Sequence, residues 1–289
     1  MRETKSTVVI LTALALEYAA VRAHITDREE LVHPGGTRVE RGRLDGTDWS
    51  VALAELGEGA VHAAALTTQI VSWLRPGAVL FVGVAGSLKQ DIGIGDVVIG
   101  TRVYAVQGGK RTPDGFLVRP EAWPGSHALV QAARSAVRDM PEIRAHFKPI
   151  AAGDVVLADA RSGIARHLRA HYNDAAAIET EGSGAAHAAH LGGQVDALVI
   201  RGISDLADTA KSAADASGSQ ERAARRAAAV AMGVLRRHQV RGASGTPGDT
   251  GADGRRGAGT GSAYAGDHVD FRDGVFLGPV TGKSEGERP

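Results

Sequence analysis

Short apolar runs rich in Val, Ile and Leu alternate along this chain with Ala-rich amphipathic runs, and that alternation restricts the fold more than any other feature. Residues 7–14 (TVVILTAL), 78–85 (AVLFVGVA) and 197–203 (ALVIRGI) have the character of strands buried on both faces. Two shorter strands are predicted at 38–44 and 49–56, joined across an Asp45-Gly46 turn signal. Further strand-like runs lie at 96–106, 155–157 and 176–179. Helices are predicted at 16–24, 59–74, 126–139, 162–171, 182–191 and 221–238, the second stopped by Pro76-Gly77. Strand–helix alternation of this kind predicts an α/β fold, a three-layer αβα arrangement with a central mixed, largely parallel sheet.

The pattern ends near residue 240. Between Arg241 and Asp267 there are 9 glycines in 27 residues, mixed with Ser, Thr, Asp and Arg. Such a stretch cannot bury enough apolar surface to offset its ordering entropy, so it reads as a flexible linker. The expected organisation is therefore a domain at 6–239, a Gly-rich linker at 240–267 and a β-prone signalling or docking motif at 268–283. That last island carries Phe271, Val275, Phe276 and Val280 around an Asp273-Gly274 turn signal. An apolar strand pair on a tether needs a pairing partner: its own body, a receptor, or copies of itself.

Composition removes several classes of function. The formal net charge is zero and no basic stripe is present, which argues against binding nucleic acid by bulk charge. The absence of cysteine excludes disulfides, thiolate metal sites and thiol nucleophiles. No apolar run reaches the length of a membrane span, and the N-terminal residues lack the pattern of a signal peptide, so a cytoplasmic protein is expected. The pairs His167/His171 and His187/His190 have helical spacing suited to metal ligation, but no third ligand lies near them in sequence, and no metal or cofactor is expected.

In sheets of this type ligands gather beyond the carboxyl ends of the strands, which directs attention to four places. Glu17 follows the first strand, where it is either a helix-dipole carboxylate or a functional one. Gly83-Val84-Ala85-Gly86-Ser87 ends a buried strand, and its glycines permit close backbone approach. Glu179-Thr180-Glu181-Gly182 sets two carboxylates two residues apart, with helix capping as the alternative role for Glu181. Arg201 closes an apolar strand and needs a carboxylate partner, while Ser204 and Asp205 just beyond it suit either proton donation to a ligand or a simple turn.

Taken in order, the segments TALALE, GEGAVHAAA, FVGVAGSLKQDIGIGDVVI, AAGDVV, AIETEGSGAA and VIRGISDLAD resemble the nucleoside phosphorylase/nucleosidase superfamily over roughly residues 7–238. The nearest branch is that of the 5′-methylthioadenosine/S-adenosylhomocysteine nucleosidases. The resemblance implies that Asp205 protonates the purine at N7 with Ser204 positioning it, and that Glu181 holds the ribose hydroxyls beside Thr180 and Glu179. It further implies that Glu17 activates water and Arg201 orients that carboxylate. Val156 and Leu157 would line the base pocket, and Ala85 and Gly86 the wall against which the nucleoside lies. Related phosphorylases carry an Arg and a Ser or Thr where this chain has Phe81 and Val84, which favours hydrolysis. Phosphorolysis and a non-catalytic nucleoside-sensing role are the alternatives. A homodimer is common in the resembling branch.

Three positions depart from the nucleosidase pattern: Thr180 stands for Met, Val84 for Ser and Val156 for an aromatic residue. The segment 107–123 is also unlike enzymes of small substrates, and its Lys110, Arg111 and Arg119 are expected either to contact a phosphorylated 5′ group or to lie on a solvated loop. The island 268–283 resembles bacterial amyloid-signalling motifs that couple effector domains to receptor ATPases. An effector role in a defence or cell-death pathway is the implied context.

Overall fold

The computed structural model describes residues 6–113, 115–154, 157, 159, 162–193, 195–207 and 218–238. The predicted linker 240–267, the island 268–283 and the base-pocket residue Val156 lie outside the described residues. The first half of the chain forms β1 (Thr7–Thr12), α1 (Ala15–Arg22), β2 (Thr26–Val32), β3 (Arg38–Arg43), β4 (Ser50–Glu55), α2 (Ala60–Leu74), β5 (Ala78–Ser87) and β6 (Val97–Ala105). Then follow β7 (Gly109–Thr112), β8 (Gly115–Val118), β9 (Glu121–Pro124), α3 (His127–Val137) and β10 (Ala145–Ala152). The last elements are α4 (Gly163–His171), β11 (Ala177–Glu179), α5 (Gly182–Leu191), β12 (Asp196–Asp205) and α6 (Ser219–Arg237).

The main sheet has the order β11-β10-β6-β12-β5-β1-β4-β3-β2, with β9 added beside β6. Parallel ladders join β1 to β4 and β5, β5 to β12, β6 to β10, and β10 to β11. Antiparallel ladders join β2 to β3, β3 to β4, β6 to β12 and β6 to β9. Period-2 geometry sorts the apolar runs onto two faces. Val8, Ile10, Leu80, Val82, Leu198 and Ile200 pack under α1, α3 and α6, whereas Val9, Leu11, Val79, Phe81 and Val199 pack under α2 and α5. The two faces make the three-layer arrangement expected from the sequence.

One pairing bends the sheet around the future site. β11 pairs with β10 on one side and, antiparallel, with the end of β5 on the other, Ile178 opposite Gly86. The strands β5, β12, β6, β10 and β11 thus close on themselves, and Glu179 arrives beside the ends of β5 and β12. On the outer face α5 lies so close to the start of α2 that a Cβ at Gly184 would sit 1.9 Å from the Ala60 carbonyl oxygen.

Five strands were not expected from the sequence. β2 (TDREELV) is exposed and charged at the sheet edge, so it has no apolar alternation to reveal it. β10 contains Pro149, which sits where the ladder to β6 shifts register between Lys148 and Ile150, a place where a missing N–H is tolerated. The segment 107–123, expected as a loop, forms the β7–β8 hairpin and β9.

Candidate active site

The ends of β1, β5, β11 and β12 meet at a cavity of about 190 Å³. Among the residues read from the sequence, Glu17, Ala85, Gly86, Leu157, Glu179, Thr180, Glu181, Ser204 and Asp205 all line it. Arg201 does not face the cavity; it is fully buried behind the wall. Ala13, Leu14, Glu58, Val84, Ile178 and Gln220 complete the described lining.

Glu17 occupies the first turn of α1, where its carboxylate both caps the helix and borders the cavity. Its Oε2 accepts the N–H groups of Ala13 (2.8 Å) and Leu14 (3.0 Å), and its Oε1 accepts that of Val84 (2.7 Å). The carboxylate therefore caps its own helix and ties it to the end of β5. Burial pushes the Glu17 carboxyl above its ordinary value, and Arg201 and the three N–H groups oppose that rise only in part.

Arg201 is the hub of a buried charge cluster. Its Nη2 donates to Glu179 Oε2 and lies 3.9 Å from Glu181 Oε2, while Nη1 lies 3.9 Å from Glu17 Oε1. The guanidinium stacks over Phe81, with Cζ 4.1 Å from the ring centroid. Burial works against the Arg201 charge, but Glu179, Glu17 and Glu181 outweigh it and raise its pKa. Burial likewise raises the Glu179 carboxyl; Arg201 opposes the rise and the neighbouring Glu181 adds to it. Glu179 is held further by the N–H groups of Glu181 (3.1 Å) and Gly182 (2.8 Å), so it serves as structural anchor for the turn into α5.

Room for this cluster depends on Gly83, which stands opposite Arg201 in the β5–β12 ladder. A Cβ there would lie 2.0 Å from Arg201 Nη1 and 2.3 Å from Glu17 Oε1. Sequence reading placed Gly83 in a permissive segment without seeing this need, because the partner guanidinium comes from a strand over a hundred residues away.

Glu181 and Asp205 are held on the cavity from different sides. Glu181 Oε1 accepts the N–H of Gly59 (3.1 Å) and the hydroxyl of Thr180. Asp205 accepts the Ser204 hydroxyl at Oδ2 (3.0 Å) and the Ala207 N–H at Oδ1 (2.8 Å). Gly86 is close-packed on it: a Cβ would sit 2.8 Å from Asp205 Oδ1. The carboxyl is thereby fixed at the β12 end of the cavity.

The basic residues of the 107–123 segment lie elsewhere in this chain. Lys110 and Arg111 are exposed on β7, Arg119 is exposed after β8, and none of them lines this cavity. Arg111 instead borders a separate cavity of about 420 Å³ with Phe116 and His167. Of the histidine pairs, His167 packs against Phe116 and His171, and His187 stacks on Trp123.

Comparison with known proteins identifies the family and the fold. A family described as the phosphorylase superfamily matches residues 7–236. A 5′-methylthioadenosine/S-adenosylhomocysteine nucleosidase from Chromohalobacter salexigens is 30% identical over 209 residues, covering 69% of this chain and 84% of that protein. Among solved structures, the nucleosidase of the same name from Neisseria meningitidis, in complex with methylthio-immucillin-A, has a TM-score of 0.70 at 24% identity, covering 80% of this chain and 99% of the other. Futalosine hydrolase from Helicobacter pylori has a TM-score of 0.69 at 23% identity, covering 80% of this chain and 97% of the other. At those identities the structural likeness speaks for the fold.

Proposed function

This chain belongs to the phosphorylase superfamily, and on that premise we propose that it hydrolyses the N-glycosidic bond of a purine nucleoside, with adenine as the favoured base. The observation that carries this reading is that Glu17 and Asp205, each held by hydrogen bonds to both carboxyl oxygens, border one cavity together with Glu181.

In the proposed reaction Asp205 delivers a proton to N7 of the base as the C1′–N9 bond breaks, so that the base departs neutral. Ser204 fixes the carboxyl orientation. Positive charge grows on the sugar ring, where the surrounding carboxylates stabilise it electrostatically. Glu181 accepts hydrogen bonds from the ribose hydroxyls. Glu17 takes the proton from the water that attacks C1′, and Arg201 and the Val84 N–H keep that carboxylate in place. General acid assistance of this kind contributes about 10²–10⁴-fold.

Water is favoured over phosphate as nucleophile by the charge of the wall. A phosphate nest uses cationic and N–H donors, whereas no Lys, Arg or His occurs among the described lining residues. Phe81 lies beneath Arg201, and Val84 offers no hydroxyl. The test is chromatographic: purified full-length chain incubated with adenosine, inosine and methylthioadenosine, with and without phosphate. Free base and the free sugar, ribose or from methylthioadenosine methylthioribose, are expected without phosphate. Release that requires phosphate and yields ribose 1-phosphate would replace hydrolysis with phosphorolysis, and release of no base would favour a sensing role.

The island 268–283 suits self-pairing or capture by a receptor ATPase, which would make this enzyme an effector activated by clustering, working as a homodimer or larger assembly in the cytoplasm. Sedimentation of the full chain against a chain ending at residue 239 tests the pairing. Identical profiles would discard it.

A further inference from the structure

The cavity is lined by five carboxylates: Glu17, Glu58, Glu179, Glu181 and Asp205. Four of them have partners described above. Arg201 neutralises one charge and lies within 3.9 Å of two more. Glu58 is different: it is exposed and forms no hydrogen bond or ion pair among the described residues. It sits between Gly57 (φ 75°) and Gly59 (φ 98°), two left-handed positions that a side-chain-bearing residue would strain. The Gly59 N–H is bonded to Glu181 Oε1 at 3.1 Å.

This last bond orients the site. Asp205 marks the base end, and Glu181 marks the sugar. Glu58 is one residue from the group bonded to Glu181, so it borders the sugar end of the cavity. Gln220, from the first turn of α6, belongs to the same lining. Once the ribose hydroxyls are engaged, the substituent left at the sugar end is the one on the 5′ carbon. Lys110, Arg111 and Arg119, for which either a phosphate contact or a solvated surface position was expected, are exposed and do not line this cavity.

We propose that Glu58 selects the substrate by the charge of its 5′ substituent, so that the site takes purine nucleosides bearing a neutral hydroxyl or a cationic ammonium at the 5′ carbon and rejects 5′-phosphate esters. This rests on the nucleosidase reading above. The physical basis is that a dianionic ester beside Glu58 meets uncompensated negative charge, whereas an ammonium meets a free acceptor. A single carboxylate near a singly or doubly charged group changes affinity on the order of tenfold at moderate ionic strength, and the effect shrinks as salt is added.

The test uses ligands that cannot be cleaved, so that binding is read independently of turnover. Formycin A (a C-nucleoside), its 5′-monophosphate and its 5′-amino-5′-deoxy derivative are titrated calorimetrically into the full chain. The expected order of affinity is amino, then hydroxyl, then phosphate, with phosphate on the order of tenfold weaker than hydroxyl. In Glu58→Lys the hydroxyl and phosphate ligands exchange order, and Glu58→Gln falls between; both variants should retain the wild-type melting temperature because the side chain is exposed. A phosphate ligand that binds wild type as tightly as formycin A, or a ratio unmoved by Glu58→Lys, would overturn the assignment while leaving the nucleosidase reading intact. If formycin A does not bind and no nucleoside yields base, the nucleosidase reading falls and the role of Glu58 falls with it.

Discussion

The same ion-pair chemistry appears in two regions of this protein with opposite consequences. On the β2–β3 ribbon, Arg22 meets Glu40, Arg38 meets Glu30, Arg41 meets Glu29 and Arg43 meets Asp27. Most of these side chains remain about half exposed, and no carboxylate lacks its own cation, Glu40 having Arg28 at 4.0 Å as well as Arg22. Exposed pairs contribute about 0–1 kcal/mol. Their value on β2 is that a charged edge strand resists pairing with other chains. Around Arg201 one guanidinium serves three carboxylates, all four groups are buried, and Arg201 Nε and Nη1 have no hydrogen-bond partner among the described residues. Desolvation makes such a cluster a poor source of stability. Its use is positional: it holds Glu17 and Glu179 at one end of the sheet. Abundant pairs mark a surface, and an under-neutralised buried one marks a site.

The contrast is sharpened most strongly by substitutions at the site. Asp205→Asn keeps an acceptor for the Ala207 N–H but cannot supply the proton, so kcat should fall about 10²–10⁴-fold with the melting temperature nearly unchanged; steady-state assay with thermal denaturation checks both. Arg201→Met leaves buried carboxylates uncompensated and should destabilise the fold by about 3–5 kcal/mol, read from urea unfolding. If it costs no more than a ribbon substitution, the distinction between the two regions fails.

A weaker but more specific effect is expected with pH. The folded-state pKa values of Glu17 and Glu179 are raised above the ordinary 4.5 by burial. The folded state therefore holds protons that the unfolded chain releases as pH rises past that value. The contribution of these groups to stability is fully present below 4.5 and is lost as pH rises through their folded-state values. Urea midpoints of wild type measured upward from that pH should show this decline, and Glu17→Gln should have a shallower slope. Because Glu17 must be ionised to accept a proton from water, the acid limb of kcat/KM should also lie above the ordinary carboxylate range. A limb within that range would remove Glu17 as the base. The smallest effect is expected for Arg41→Ala on the ribbon: less than about 1 kcal/mol and no change in turnover.

Much of the site was legible in advance because its residues stand just beyond apolar strands, where local patterning identifies them. Glu17, Glu179, Glu181, Ser204 and Asp205 all reach the same cavity. What escaped the sequence has specific causes. β10 was hidden by Pro149, and β2 by a run of charges on an exposed edge. Glu58 lies in a glycine-flanked loop just beyond β4, a strand end that was not searched, and Gln220 stands at a helix start with no strand end to point to it. Lys110, Arg111 and Arg119 had the right chemistry for a phosphate, but the first two lie on the β7–β8 hairpin, Arg119 follows it, and none of the three lines the candidate cavity.

The sequence by itself determined the helices and the apolar core strands other than β10, that the sheet is covered on both faces, and which side chains stand at the ends of those strands, because these follow from the spacing of apolar residues along a few turns or pleats. Only the tertiary structure decided how those ends meet. The antiparallel return of β11 onto β5 sets Glu179 against Arg201, and the absence of a side chain at Gly83 makes room for the guanidinium. Strand pairing and close packing join residues far apart in the chain, and local periodicity carries no record of which partner each strand will find.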